Sequence, residues 1–230
     1  MDEFNLNGDI FNDFNEDIEA TKVLEDERFY RYGRFFSFEL SFGLTTFDGN
    51  RGTAYENEPP TYGIGLHYFL NFNTSIGLGF SSSKHHFFLD EPTVGFDPNG
   101  PGFVSVNTLR FWLSLRHYID TSNLGTAITY SNPYLVGRME YWYVTNKYLD
   151  QDVSIVPNDA GGGFGFAGGF GLEFPIVLKE YYLGFEFLAH IINFHDKFTQ
   201  RYRPIEGNTN GFEDLSGNAF SMIVSFTQTW

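Results

Sequence analysis

From Phe29 to the last residue the sequence repeats in twos, and its two sets of alternate positions differ in kind. In "RFFSFELSFGLT", Phe36, Phe38, Leu40, Phe42 and Leu44 alternate with Ser37, Glu39, Ser41 and Gly43. "TYGIGLHYFLN" sets Tyr62, Ile64, Leu66, Tyr68 and Leu70 against Gly63, Gly65 and His67, and "SIGLGFS" sets Ile76, Leu78 and Phe80 against Gly77 and Gly79. In "TLRFWLSLRHY" the apolar set is Leu109, Phe111, Leu113 and Leu115; in "YLVGRMEYWYV" it is Leu135, Met139, Tyr141 and Tyr143. "FGFAGGFGLEF", "YLGFEFLAHI" and the closing "SMIVSFTQTW" complete about eight such runs. Alternation over this length is the signature of strands, and helical spacing fits none of the runs.

The nature of the second face decides which solvent the first one meets. A soluble barrel or sandwich buries its apolar set and shows water a face rich in Lys, Glu and Thr. Here the second set is Gly, Ser and Ala with a few isolated charges, which suits a narrow interior. The belt of Phe, Leu, Ile and Tyr is too large for an eight-stranded lumen to hold, so lipid is the solvent that accepts it. Only a closed sheet survives there, because every backbone group must be paired. The expected fold is all-β: a closed, antiparallel, up-and-down transmembrane β-barrel of about eight strands. Composition agrees, with 28 Phe, 14 Tyr and 25 Gly in 230 residues. The expected connections also alternate. Long, polar ones run over roughly 45–60, 84–102, 146–162 and 194–218, short ones follow the second and sixth strands, and an intermediate one spans about 119–132.

Several classes are excluded early. With no Cys there is no disulfide framework and no thiolate site. A net charge of −15 argues against nucleic acid, which needs clustered Lys and Arg. No apolar run approaches the roughly 18 residues of a transmembrane helix. Met1-Asp2-Glu3 does not read as a secretory signal, so an exported chain is expected here in mature form.

Residues 1–28 stand apart from the barrel, expected over 29–230. They hold ten Asp or Glu against Lys22 and Arg28, with sparse apolar residues and room for a short helix near 16–27. Such a segment reads as a solvated arm, or as one whose Phe4, Ile10, Phe11, Phe14 and Ile18 order on a partner.

The last strand carries a motif. Phe220, Met222, Val224, Phe226 and the terminal Trp230 are apolar at alternate positions. This tail resembles the C-terminal signature strand of Gram-negative outer-membrane β-barrel proteins, departing from it at Gln228. The resemblance implies an outer-membrane location with both termini periplasmic, and contact with outer-membrane lipid and lipopolysaccharide. It also implies that the barrel-assembly machinery reads the tail, with Phe226 and Trp230 as the signal. The OmpA-barrel, OmpX and OmpW types are similar in size. Tyr30, Tyr32, Tyr68, Tyr143, Tyr181 and Trp230 fall at strand ends, as interfacial girdles require.

The inward set contains Glu39, Arg110, Arg116, Arg138, Glu140, Glu173 and Glu186, with His67 and His190. In a lumen a few side chains wide, charges of both signs must pair, because an unpaired buried charge is expensive. We expect a structural network in which the four glutamates lie within reach of the three arginines. The glycines opposite them would let Trp112 or Trp142 pack across the lumen. A catalytic reading would draw on "SSSKHHFFLDE", with Ser81, Ser83 and His85 inward and Ser82 on the lipid side. It lacks the local motifs of lipid A-modifying enzymes, and no catalytic residue is assigned. Asp90, Glu91, Asp97, Glu206, Glu213 and Asp214 show no calcium-loop spacing, and no metal or cofactor is expected. The leading functional expectation is a non-enzymatic anchor or scaffold that binds a periplasmic or other envelope protein, or an external one, through the arm or the long loops. The alternatives are a conduit for small hydrophobic molecules and a lipid A-modifying enzyme.

Overall fold

The computed structural model describes residues 22–24, 33–89, 102–121, 131–150, 152, 158–192 and 215–230. Eight strands follow one another: β1 (Phe36–Phe47), β2 (Glu56–Phe69), β3 (Thr74–Leu89), β4 (Gly102–Tyr118), β5 (Asn132–Tyr148), β6 (Asp159–Val177), β7 (Tyr181–Ile192) and β8 (Ala219–Thr229). A short helix, α1 (Gly49–Ala54), joins the first two. Each strand pairs antiparallel with the next, and β8 returns to β1 to close the barrel. At that seam Ser37 lies opposite Thr229, Ser41 opposite Ser225 and Phe47 opposite Ala219. No edge is left, as a sheet in lipid requires.

The faces follow the two-residue period. Leu40, Phe42, Leu66, Leu78, Leu113, Leu115, Phe166, Phe170 and Met222 point outward and are exposed. Ser37, Glu39, Arg110, Arg116, Glu173, Ser221 and Ser225 point inward and are buried. The start of β1, the end of β8 and the connections after β2, β4 and β6 share one end of the barrel, called here the short-turn end. The connections after β1, β3, β5 and β7 share the other.

At the long-loop end the strands run further than expected. β1 reaches Phe47 and β2 begins at Glu56, so the supposed long connection of 45–60 shrinks to α1 and its flanks. β3 continues to Leu89 and β5 to Tyr148, and β6 already begins at Asp159. The physical reason is a change of solvent along each strand. Beyond the belt Lys84, Asn107 and Lys147 take outward positions and several apolar residues move inside, while Phe88 and Phe103 still face out. Tyr55, Phe87, Val104, Val106, Val144, Tyr148 and Leu215 form a buried cluster there, with Phe47 packed against it. A second buried cluster, Phe69, Tyr118, Tyr134, Val136 and Leu188, fills the lumen toward the short-turn end.

Of the arm, only Lys22, Val23 and Leu24 are described, as a single helical turn with Val23 and Leu24 exposed. Phe4, Ile10, Phe11, Phe14 and Ile18 lie outside the described residues, as do Tyr30, Tyr32, Asp90, Glu91, Asp97, Glu206, Glu213 and Asp214.

Candidate functional site

Between the two apolar clusters the lumen is packed with charge. Arg116 on β4 donates to Glu39 on β1 at 2.8 Å and to Glu186 on β7 at 3.1 Å. Arg138 on β5 also donates to Glu186, and the Tyr134 hydroxyl reaches the same carboxylate at 3.1 Å. His67 Nε2 stands 3.3 Å from Glu39. One layer toward the long-loop end, Arg110 lies 3.9 Å from Glu140 and donates to Ser81 at 2.9 Å. Each of these arginines also covers a ring: Arg110 over Trp142, Arg116 over Tyr134 and Arg138 over Trp112. Such stacking suits a planar guanidinium that has given up water.

The glycines make room for the rings. A Cβ on Gly65 would sit 2.8 Å from Trp112 Cη2, and one on Gly165 would sit 3.2 Å from Trp142 Nε1. Trp142 Nε1 donates to Glu140 at 3.0 Å, so the indole is fixed by packing and by a hydrogen bond.

Glu173 departs from the expected pairing. Its partner is Arg34, at 2.8 Å, rather than any of the three strand arginines. Arg34 precedes β1 and was invisible to an inside–outside pattern confined to strands. Its guanidinium lies 4.3 Å from the Phe69 ring centroid, 4.4 Å from Tyr182 and 5.2 Å from Tyr118. Three rings and one carboxylate thus hold a cation across the short-turn mouth. Burial alone would lower its pKa, but the Glu173 carboxylate outweighs that and holds it above the ordinary value. The Tyr118 hydroxyl donates to the other Glu173 oxygen at 2.9 Å. Below Arg34 opens a cavity of about 430 Å³, lined in part by Gly33, Asn73 and Lys179.

Two hydroxyl–imidazole relays stand in the lumen. Ser221 Oγ is 2.8 Å from His190 Nε2, and His190 Nδ1 is 2.8 Å from Glu140. Toward the long-loop end, Ser83 Oγ is 3.0 Å from His85 Nε2, whose Nδ1 is 3.0 Å from Asn57. The first has the spacing of a nucleophile, a base and an orienting acid. Ser221 and His190 are fully buried, however, and Arg110 Nη1 reaches both His190 nitrogens. His85 is enclosed by Tyr55 and Phe47. Ser221 and Ser83 are both buried, and both relays satisfy buried polar groups. Ser81 is spent on Arg110, and Ser82 faces outward.

At the long-loop rim, beyond Tyr62, Lys84 contacts Glu58 at 2.7 Å, and His86 lies between Glu58 and Glu56. The hydrogen bond from Lys84 lowers the Glu58 pKa. At the opposite end Phe226 stacks on Tyr181 with centroids 5.6 Å apart, and Trp230 is exposed on the outer face. The Trp230 carbonyl accepts from Phe35 N and Phe36 N, and its N–H donates back to Phe36 at 3.0 Å.

No family model matches the chain, and no curated protein sequence does either. Solved structures do. Neisserial surface protein A (NspA) superposes with a TM-score of 0.53 at 9% identity, over 85% of this chain and 97% of that one. The N-terminal β-barrel domain of Pseudomonas aeruginosa OprF gives 0.47 at 12% identity, over 84% and 97%. Ail, the attachment invasion locus protein of Yersinia pestis, gives 0.46 at 10% identity, over 85% and 96%. At such identity the likeness to NspA is one of fold: a small, closed, eight-stranded barrel.

Proposed function

We propose that this barrel is an integral protein of a Gram-negative outer membrane, both termini periplasmic, serving without catalysis as an anchor that binds envelope or external proteins. The observation that carries the reading is the filled lumen. Charged layers and apolar clusters occupy it from one mouth to the other, as an eight-stranded barrel allows. Function is then left to what projects from the barrel. The apolar belt supports the membrane location, as does the fold shared with NspA, whose name marks it as a surface protein. The filled lumen weighs against a conduit for small hydrophobic molecules, and the enclosed relays weigh against lipid A chemistry. In this reading Phe226 and Trp230 act during biogenesis as the assembly signal. The lumen charges Glu39, Arg110, Arg116, Arg138, Glu140, Glu173, Glu186 and His190 are structural.

The arm is the leading binding element. It is acidic, it carries spaced apolar residues, and its one described turn leaves Val23 and Leu24 uncovered. Segments of this composition order on binding. The test is recovery of co-purifying envelope proteins by the parent chain and by a full-length variant with Phe4, Ile10, Phe11, Phe14 and Ile18 changed to Ser. Loss of a partner with unchanged heat-modifiable migration supports the arm. Undiminished recovery transfers the role to the long loops.

A further inference from the structure

We infer that the short-turn mouth binds a neutral saccharide unit, in a cavity whose uncommitted polar groups are carboxamides and a hydroxyl. This goes beyond the protein binding proposed above and draws on neither the arm nor the long loops.

The cavity is preformed. Its volume of about 430 Å³ lies within the usual span of small-ligand pockets, about 300–1,000 Å³. Its wall is drawn from stretches far apart in sequence: the residues before β1, the turn after β2, the end of β4, the start of β5 and the turn after β6. Hydrogen bonds fix these stretches to one another. Tyr118 N donates to the Asn73 carbonyl at 2.6 Å, Ile119 N to the Pro133 carbonyl at 2.8 Å, and Lys179 N to the Tyr182 hydroxyl at 3.2 Å. Asn71 Oδ1 accepts from Asn73 N at 2.9 Å, which sets the turn after β2. A site held this way loses little further freedom when a ligand enters.

Sorting the lining by what is already engaged fixes the class of ligand. Arg34 is taken by Glu173 and by the Phe69 and Tyr182 rings. The Tyr118 hydroxyl donates to Glu173. Asp120 and Lys179 each have an interaction of their own. Every charged group of the lining is thus engaged without a ligand. Asn73, Thr121 and Asn132 differ: their side chains make no hydrogen bond among the described residues, and Thr121 is only 8% exposed. A carboxamide offers donors and an acceptor together, and a hydroxyl does the same. The complementary ligand carries several groups that each donate and accept, with no net charge. Sugar hydroxyls meet that description. Phe72 and Ile119, both about half-exposed, add an apolar patch for the C–H face of a sugar ring. A peptide fits less well. Extended peptides are read along a free sheet edge, and the closed barrel has none.

Titration calorimetry of the full-length protein in lipid nanodiscs tests the site, with N-acetylglucosamine and glucose as probes. At least one should bind saturably, with a dissociation constant of about 1 mM for a ligand of this size. Asn73→Leu, Asn132→Leu and Thr121→Val should each weaken that binding about tenfold, because each leaves a ligand hydroxyl unpaired. Thr53→Val, on α1 at the far end, should leave it unchanged. So should a rise from about 0.01 M to about 1 M salt, since screening acts on charges. Heat-modifiable migration checks the folding of each variant. Asn73 lies on an exposed turn and Thr121→Val keeps the side chain's shape, so loss of one variant leaves the others to decide. The methyl glycosides of the two sugars separate two sources. Affinity retained on methylation marks the end unit of a glycan chain, and affinity lost marks a free sugar; both support the site. Absence of saturable binding up to about 0.1 M of either sugar overturns the inference. Binding that survives all three cavity substitutions also overturns it. Tighter binding of glucose 6-phosphate than of glucose, with the gain abolished by salt, overturns it too, because the site would then serve an anion.

Discussion

Replacing Arg116 with Met removes one cation that two carboxylates share. Glu186 keeps Arg138, so its loss is partial. Among the described residues Glu39 keeps one direct partner, His67 at 3.3 Å, which carries charge only when protonated, while Arg138 acts on it from further off. The substitution therefore leaves one carboxylate, 2% exposed, without a permanent counter-charge in direct contact. Breaking a buried pair from one side costs about 3–5 kcal/mol. The expected loss for Arg116→Met falls in that range, and Arg138→Met should lose less because Glu186 retains Arg116. Removing the stranded charge as well, in Arg116→Met with Glu39→Gln, should recover a large part of the loss. Lys84→Met is the reference: its ammonium is half-exposed beside Glu58, and such surface pairs contribute about 0–1 kcal/mol. Urea unfolding in lipid vesicles, followed by tryptophan fluorescence and heat-modifiable migration, measures all four. If Arg116→Met costs no more than Lys84→Met, or the Glu39→Gln partner deepens the loss, the lumen charges do not work as a coupled network.

Leu113→Arg, in the outward belt, should destabilise by about 2–4 kcal/mol in the same titration, and folding as stable as the parent would refute the lipid-facing assignment. Gly79→Ala drives a Cβ into the Trp112 ring and the Ile64 carbonyl and should cost about 1–3 kcal/mol with altered tryptophan emission. Gly137→Ala meets nothing within 4 Å and should stay within about 0.5 kcal/mol, so equal effects would contradict the packing described. In planar bilayers the intact chain should give no conductance steps, and regular openings would contradict a filled lumen.

The inside and outside of the wall were legible because lipid and lumen demand opposite residues at successive positions of one strand. Glu39 and Leu40 could be assigned from their neighbours alone. The strand tips were not legible, for a related reason. At Phe87 and Tyr148 the apolar set has crossed to the inner face, so the period persists while its meaning reverses, and such stretches read as loops. Trp112 and Trp142 were legible as lumen fillers through the glycines opposite them. Arg34 was not, because its place depends on how the chain turns before β1, which no alternation records. The relays through Ser221 and Ser83 also lay beyond reach, since they join residues of different strands through a register the sequence does not print.

Seven of the eight strand junctions in this barrel are bridged by a connecting segment; β1 and β8 are joined by hydrogen bonds alone. That junction is clasped at both ends. Trp230 is bound to Phe35 and Phe36 at one end; at the other, Asp48 N donates to Asn218 and Arg51 N to Ser216. Leu215, in the residues leading into β8, is buried in the long-loop cluster, against which Phe47 of β1 packs. A cylinder pulled apart would ordinarily open along its one uncrosslinked line, and here that line has fasteners at both rims. Under load, parting is therefore expected to begin in the wall away from it. The first ladder to yield would be one of the two whose register already slips, β2–β3 between Glu58 and Tyr62 or β6–β7 between Pro175 and Val177.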